Sequence, residues 1–346
     1  MDARNKIKKI LVRAPNWIGD AVMALPAVES LKALYKGAEI TVLTKGRAVP
    51  VFQNNPSVGG IIEYDDKGSH KGLKGRLKLR GEIKERAFDI AVLFQNAFDA
   101  AFIAFISGVP VRAGYARDFR TKLLTRPIPV TEEIKKAHQV FYYLNIVKAL
   151  GGGVPKRPVP KIYLSEDERA WAESFIKDNG LKGAFLVGAA PGASYGPAKR
   201  WPPERFAEAL TKIIKDRDAV ALVFGASEDK EASLEVTRNL KIKYIDLTGK
   251  ISLRSFMAIA SRLELFITND SGPMHIGAAL GTPTIAIFGS TDPLLTGPLG
   301  PHARVVQKKT ECSPCFEREC RFGHYNCLSI SAAEAARAAD GLLKEI

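Results

Sequence analysis

The sequence predicts an α/β protein made of two doubly wound parallel sheets, and three observations lead there. Short apolar runs of strand length alternate with helical patterns along almost the whole chain. At 151–160 three glycines and three prolines interrupt that alternation, which reads as a helix stop and an interdomain linker. At 267–293 the stretch ITNDSGPMHIGAALGTPTIAIFGSTDP runs strand, tight turn, helix, strand. The expected domains are 1–155 and 156–330, facing a cleft, with a last helix at 331–346.

In the first half, KKILVRA (8–14) is a strand leading into Pro15-Asn16-Trp17-Ile18-Gly19-Asp20. A helix follows, because Ala24, Ala27, Val28, Leu31, Leu34 and Tyr35 share one face. Strands are expected at 39–44, 58–64 and 89–94, and a long helix at 135–150. The second half repeats the pattern. Helices are expected at 166–179, 204–215 and 253–261, and strands at 184–189, 219–224, 243–247, 263–268 and 284–288. The Ala-rich tail, 332–346, is an amphipathic helix.

The stretch at 267–293 organises the second half. Pro273 suits the first turn of a helix, where its missing N–H would be unpaired anyway. Asp270 and Ser271 are capping types, His275 sits one turn in, and Gly277, Ala278 and Ala279 let the helix lie close to a sheet. The free N–H groups and positive dipole end of such a helix suit a phosphate, although an ordinary capped helix has the same pattern. Two further loops follow strands of the same expected sheet, 191–202 and 225–229. The first offers Ser194, Lys199 and Arg200, the second Glu228 and Asp229. Cations and N–H donors hold a diphosphate, and a carboxylate holds a ribose diol. A nucleotide-diphosphate ligand is therefore expected. In the first half, Asp20 at a helix N-terminus is either a support for that helix end or a general base for an acceptor hydroxyl.

Composition limits the partners. The chain is 46% hydrophobic and 25% charged, as a globular protein is, and no apolar run reaches the roughly 18–20 residues of a membrane span. The charged opening runs straight into a strand without a signal-peptide core, so a cytoplasmic location is expected. The formal net charge of +14 suits an anionic substrate or an anionic membrane face. Much of it lies at 67–86. No nucleic-acid signature accompanies it, so nucleic acid is not an expected partner. Cys312, Cys315, Cys320 and Cys327 fall in one segment; free thiols or a stapled loop are expected, and no metal.

PNWIGDAVMALPAVESLK, PGASYGPAKRWP and TNDSGPMHIGAALGTPTIAIFG, in that order, resemble the ADP-heptose:lipopolysaccharide heptosyltransferases of glycosyltransferase family 9. The NW-x-GD form and VRAGYARDFR look like the heptosyltransferase II branch. The resemblance implies a GT-B fold, whose last helix packs back on the first domain, and an inverting, metal-independent glycosyl transfer with no cofactor beyond the ADP-heptose donor. It makes Asp20 the base and places the donor at Ser194, Lys199, Glu228, Ile251, Asp270, Ser271, Gly272 and His275. The acceptor, a lipid-linked core oligosaccharide on the cytoplasmic face of the inner membrane, would meet Asn16, Trp17, Asn96, Arg117 and Arg120. A relative using another sugar or acceptor, and a non-catalytic nucleotide-sugar or nucleic-acid binder, stand as alternatives.

Overall fold

The computed structural model describes residues 6–215 and 218–346; the first five residues of the charged opening lie outside that set. The chain divides into two compact units, Met1–Tyr163 and Leu164–Ile346.

The first unit runs β1 (Lys9–Arg13), α1 (Ile18–Leu34), β2 (Glu39–Thr44), α2 (Val49–Phe52), β3 (Gly60–Glu63), α3 (Gly72–Glu85), β4 (Ile90–Leu93), α4 (Phe98–Ile106), β5 (Val111–Tyr115), β6 (Arg126–Ile128), α5 (Glu132–Lys136) and α6 (Gln139–Ala149). Its strands form one sheet in the order β3-β2-β1-β4-β5-β6. Val12 on β1 lies beside Val42 on β2 and Val92 on β4, all in parallel register and all fully buried. Such apolar runs are what a parallel sheet covered on both faces requires. The helix expected at 135–150 is two helices. α5 stops at Ala137, and His138 caps α6 through its Nδ1, which accepts from Val140 N at 3.2 Å.

The second unit runs α7 (Glu166–Asp178), β7 (Phe185–Ala190), α8 (Pro203–Ile214), β8 (Ala219–Val223), α9 (Lys230–Asn239), β9 (Tyr244–Asp246), α10 (Leu253–Ala260), β10 (Leu265–Asn269), α11 (Gly272–Leu280), β11 (Thr284–Phe288), α12 (Pro293–Thr296), β12 (Ala303–Gln307) and α13 (Ala332–Lys344). The strand order is β12-β11-β10-β7-β8-β9. Counted from its own first strand, this is the order of the first sheet. In each sheet the chain reverses its winding between the first and fourth strands, β1/β4 and β7/β10. The connections leaving the carboxyl ends of those two strands diverge to opposite faces and leave a crevice, where ligands of such sheets bind.

Within the second unit, the last helix, α13, packs on α8, β11 and β12. Ala332, Ala335, Ala336, Ala339 and Leu342 form its buried stripe, in one apolar cluster with Phe206, Leu210 and Ile213 of α8. The Trp201 indole N–H anchors the approach by donating to Ile330 O at 3.0 Å. Leu342 is 3% exposed. Leu342→Ala should therefore cost about 2–4 kcal/mol of stability, read from urea unfolding; an unchanged midpoint would contradict this packing. Among the described residues no helix is long and apolar enough to cross a membrane.

Candidate active site

At the reversal point of the first unit, β1 ends in the turn that carries Asn16, Trp17 and Asp20. Asp20 lies in the first turn of α1, where the helix dipole favours its charged form. The carboxylate is partly buried and accepts a hydrogen bond from the Tyr143 hydroxyl of α6 at 3.1 Å. Burial, and then the charge of Asp20, push the Tyr143 phenol well above its ordinary pKa, so it stays a donor. Gln139 Nε2 also donates to that hydroxyl, at 3.2 Å. Asn16 Oδ1 accepts from Arg13 Nη2 at 2.9 Å. Trp17 is exposed, with the Arg47 guanidinium 4.7 Å from its ring centroid.

Asn96, beyond β4, joins Arg117 and Arg120 around one hydroxyl. Asn96 Nδ2 and Arg117 Nη1 donate to Tyr142 Oη at 3.0 and 3.3 Å, and Arg120 Nη2 donates to Asn96 Oδ1 at 3.2 Å. Arg117 is exposed, whereas Arg120 is completely buried. Arg120 Nε and Nη1 donate to the main-chain oxygens of Tyr115 (3.0 Å) and Gln95. Burial lowers its pKa to about 10, which leaves it a cation at neutral pH. The Arg120 guanidinium thus ties the loops after β4 and β5 together.

In the second unit the loops expected to converge do so. Asn269, the last residue of β10, accepts from Trp201 N at 3.0 Å and donates to Pro191 O at 2.6 Å, which closes the 191–201 loop against the start of α11. Gly192 lies against the Asp229 carboxylate with no room for a Cβ, and so brings that loop onto the 225–229 turn. Gly249 N donates to Gly225 O at 2.9 Å, which places the Ile251 turn beside the same corner. Ser194 and Glu228 are exposed on these loops, Ile251 is partly exposed, and His275 is buried in the first turn of α11.

The pair at the centre is Lys199 and Asp270. Lys199 Nζ stands 2.6 Å from Asp270 Oδ2, with the side chains 13% and 4% exposed. The Thr291 hydroxyl donates to the same carboxylate oxygen, and the ammonium lies 4.7 Å from the centroid of the Tyr195 ring. Ser271 is the N-cap position of α11, but its side chain makes no capping bond. Its hydroxyl faces Thr268 Oγ1 at 3.4 Å. The expected serine cap is therefore replaced by a helix end whose N–H groups meet no capping side chain, one residue from a lysine–aspartate pair.

The cysteine segment supports this loop. Cys315 N and Phe316 N donate to Ser290 O at 3.0 and 2.8 Å, Ser313 Oγ donates to Gly289 O at 2.7 Å, and Ala198 N donates to Arg318 O at 3.0 Å. Gly196, at φ 152°, passes so close to Arg318 O that a Cβ would collide with it. The four cysteines are free, and among the described residues no three His, Cys, Asp or Glu side chains stand together as a metal site. Burial and the neighbouring thiols raise the pKa of Cys327.

Sequence reasoning missed Arg13, Tyr142, Tyr143, Asn269 and Thr291. Asn269 stood within a quoted motif and carried the one usable signal, a polar residue ending an apolar strand. Tyr142 and Tyr143 read only as a helix face.

The comparisons with known proteins agree with this fold. Residues 76–326 match the model of glycosyltransferase family 9 (heptosyltransferase). The lipopolysaccharide heptosyltransferase 2 of Escherichia coli K12 is 30% identical over 92% of this chain and 94% of its own. Among solved structures, E. coli ADP-heptose LPS heptosyltransferase II superposes with a TM-score of 0.83 at 27% identity, over 97% of this chain and 99% of that one. A family 9 glycosyltransferase from Veillonella parvula superposes with a TM-score of 0.87 at 28% identity, over 98% of both chains. Two sheets of one topology, each with polar residues gathered at its reversal point, are the GT-B arrangement, and the chain belongs to glycosyltransferase family 9, the heptosyltransferases.

Proposed function

We propose that the protein transfers heptose from ADP-L-glycero-D-manno-heptose to the first heptose of the lipopolysaccharide inner core, heptosyl-Kdo2-lipid A, with inversion at the anomeric carbon. The observation that carries this reading is the Lys199–Asp270 pair at the uncapped start of α11. A diphosphate leaving group gains negative charge as the glycosidic bond breaks, and a lysine with a helix N-terminus is already oriented to meet that charge. The bound diphosphate competes with Asp270 for the ammonium, while Ser194, Ser271 and Gly272 offer it hydrogen bonds. Glu228 accepts from the ribose hydroxyls, Ile251 lies under the adenine, and His275 stands behind the phosphates and transferred sugar.

Asp20 takes the proton of the attacking hydroxyl as the new bond forms. The transition state has oxocarbenium character, as in other glycosyl transfers. A carboxylate is a weak base, so proton removal is concerted with attack. Tyr143 orients Asp20 and is a positioning residue. Asn16, Trp17, Asn96 and Arg117 line the acceptor side, and buried Arg120 positions that wall. The protein works at the cytoplasmic face of the inner membrane. In support, α3 exposes Leu73 and Leu77 (76% and 49% exposed) among Lys71, Lys74 and Lys78. Apolar side chains ringed by lysines suit an anionic bilayer surface.

The test is a product assay with ADP-heptose and heptosylated Kdo2-lipid A presented in anionic vesicles, read by mass spectrometry. A gain of one heptose is the expected result. Product only with a different acceptor would move the protein to another place in core assembly, and no transfer to any core acceptor would remove the reading.

A further inference from the structure

The Lys199 ammonium ends a flexible four-carbon stem, and two contacts fix it. Asp270 Oδ2 stands 2.6 Å from Nζ, and the centroid of the Tyr195 ring lies 4.7 Å from the same nitrogen. The two contacts differ in kind. Asp270 is a counter-charge, which a bound diphosphate has to displace. An aromatic face attracts a cation through its quadrupole and brings no formal charge, so the N–H donors of the ammonium stay available to phosphate oxygens.

Tyr195 is itself held from outside its own loop. Its hydroxyl donates to Phe316 O, 121 positions further along the chain. Phe316 N donates to Ser290 O at 2.8 Å, and Thr291, the next residue, donates its hydroxyl to Asp270. Lys199, Tyr195, Phe316, the Ser290–Thr291 turn and Asp270 thus close a circle of contacts around the ammonium. The same segment grips the loop a second time: Ala198 N donates to Arg318 O at 3.0 Å, and the Arg318 guanidinium stands 5.5 Å from the Tyr195 ring centroid. The ring is partly exposed, so its place is not set by a need to fill the core.

We infer that Tyr195 is a positioning residue for the donor site: its ring, fixed by the 313–318 segment, keeps the Lys199 ammonium in place when a diphosphate displaces Asp270. The inference rests on the proposed role of Lys199 as the cation that meets the diphosphate. A side chain held ready in this way loses less freedom on binding than a free lysine would, and the gain appears as donor affinity. The segment that carries Cys315 then acts on the donor through Tyr195.

Calorimetric ADP binding to the full-length protein tests this through a double-mutant cycle. Tyr195→Leu should weaken ADP about tenfold. Tyr195→Phe, which keeps the ring and loses only the bond to Phe316 O, should recover most of that loss. In a Lys199→Ala background Tyr195→Leu should weaken ADP no further, because the ring has no ammonium left to hold. A loop that had merely collapsed would give the same loss in both backgrounds, so a tenfold loss that persists without Lys199 would overturn the inference. Unchanged ADP affinity in Tyr195→Leu, or a Tyr195→Phe protein as weak as Tyr195→Leu, would overturn it as well. Tyr195→Gln, a second non-aromatic variant, should match Tyr195→Leu and carries the same cycle should that variant not fold. Heptose transfer by the wild type is scored separately. A coupled Tyr195–Lys199 pair in a protein that transfers no heptose fails the proposed function alone, and an uncoupled pair in an active transferase fails this inference alone.

Discussion

Asp20→Asn should lose about 10²–10⁴-fold in turnover while its affinity for ADP stays within about twofold of the wild type. The substitution keeps the shape and a hydrogen-bond acceptor for Tyr143, but it removes the only function proposed for the carboxylate, taking a proton. The donor loops lie in the other unit, which is why ADP binding is the control. Single-turnover kinetics with saturating ADP-heptose, together with calorimetric ADP binding, measure both quantities. Loss of ADP binding in a folded Asp20→Asn protein would assign Asp20 a structural role at the start of α1. Tyr143→Phe separates positioning from chemistry: it should lower kcat about tenfold and leave acceptor KM nearly unchanged, because the carboxylate remains but is held by one bond fewer.

Lys199→Ala should weaken ADP about 10²-fold and lower kcat by about 10²–10³-fold, more than the loss of a solvent-exposed cation would cause. The reason is Asp270. Its side chain is 4% exposed, and its neighbours are Lys199 and the Thr291 hydroxyl. Without the ammonium, a buried carboxylate stands uncompensated next to the place proposed for the phosphates. Adding Asp270→Asn to Lys199→Ala should therefore recover a good part of the ADP affinity, and the non-additivity measures the coupling of the pair. Equal ADP affinity in wild type and Lys199→Ala would show that the diphosphate is held elsewhere. Equal affinity in the single and double variants would show that Asp270 does not oppose it.

Much of the second unit was legible because its signals are local. A buried strand that stops at Asn269-Asp270-Ser271, a proline inside the first helical turn and small residues behind it specify a strand–helix junction with little help from distant chain. The same holds for the Asn16–Asp20 turn after β1. One side of each sheet, at β5 and β6 and at β12, was less legible, whereas the opposite edge strands β3 and β9 fall within the strands expected at 58–64 and 243–247. β6 (Arg126–Ile128) contains a proline and a charge, which an edge strand tolerates because one side of its ladder is open, and neither β5 nor β12 shows an uninterrupted apolar run.

Side-chain roles divide along the same line. That 346 residues alternate into two sheets, that α11 begins at a tight turn with a proline in its first turn, and that α13 has one apolar face were decided by patterns of a few residues. Which surface of the second unit α13 covers, that Arg120 is buried while Arg117 is exposed, and that Tyr143 holds Asp20 were decided only by the tertiary structure. Periodicity states that a face is buried and composition states that a charge exists. The partner of either is set by residues dozens to more than a hundred positions away, and only packing brings them within reach.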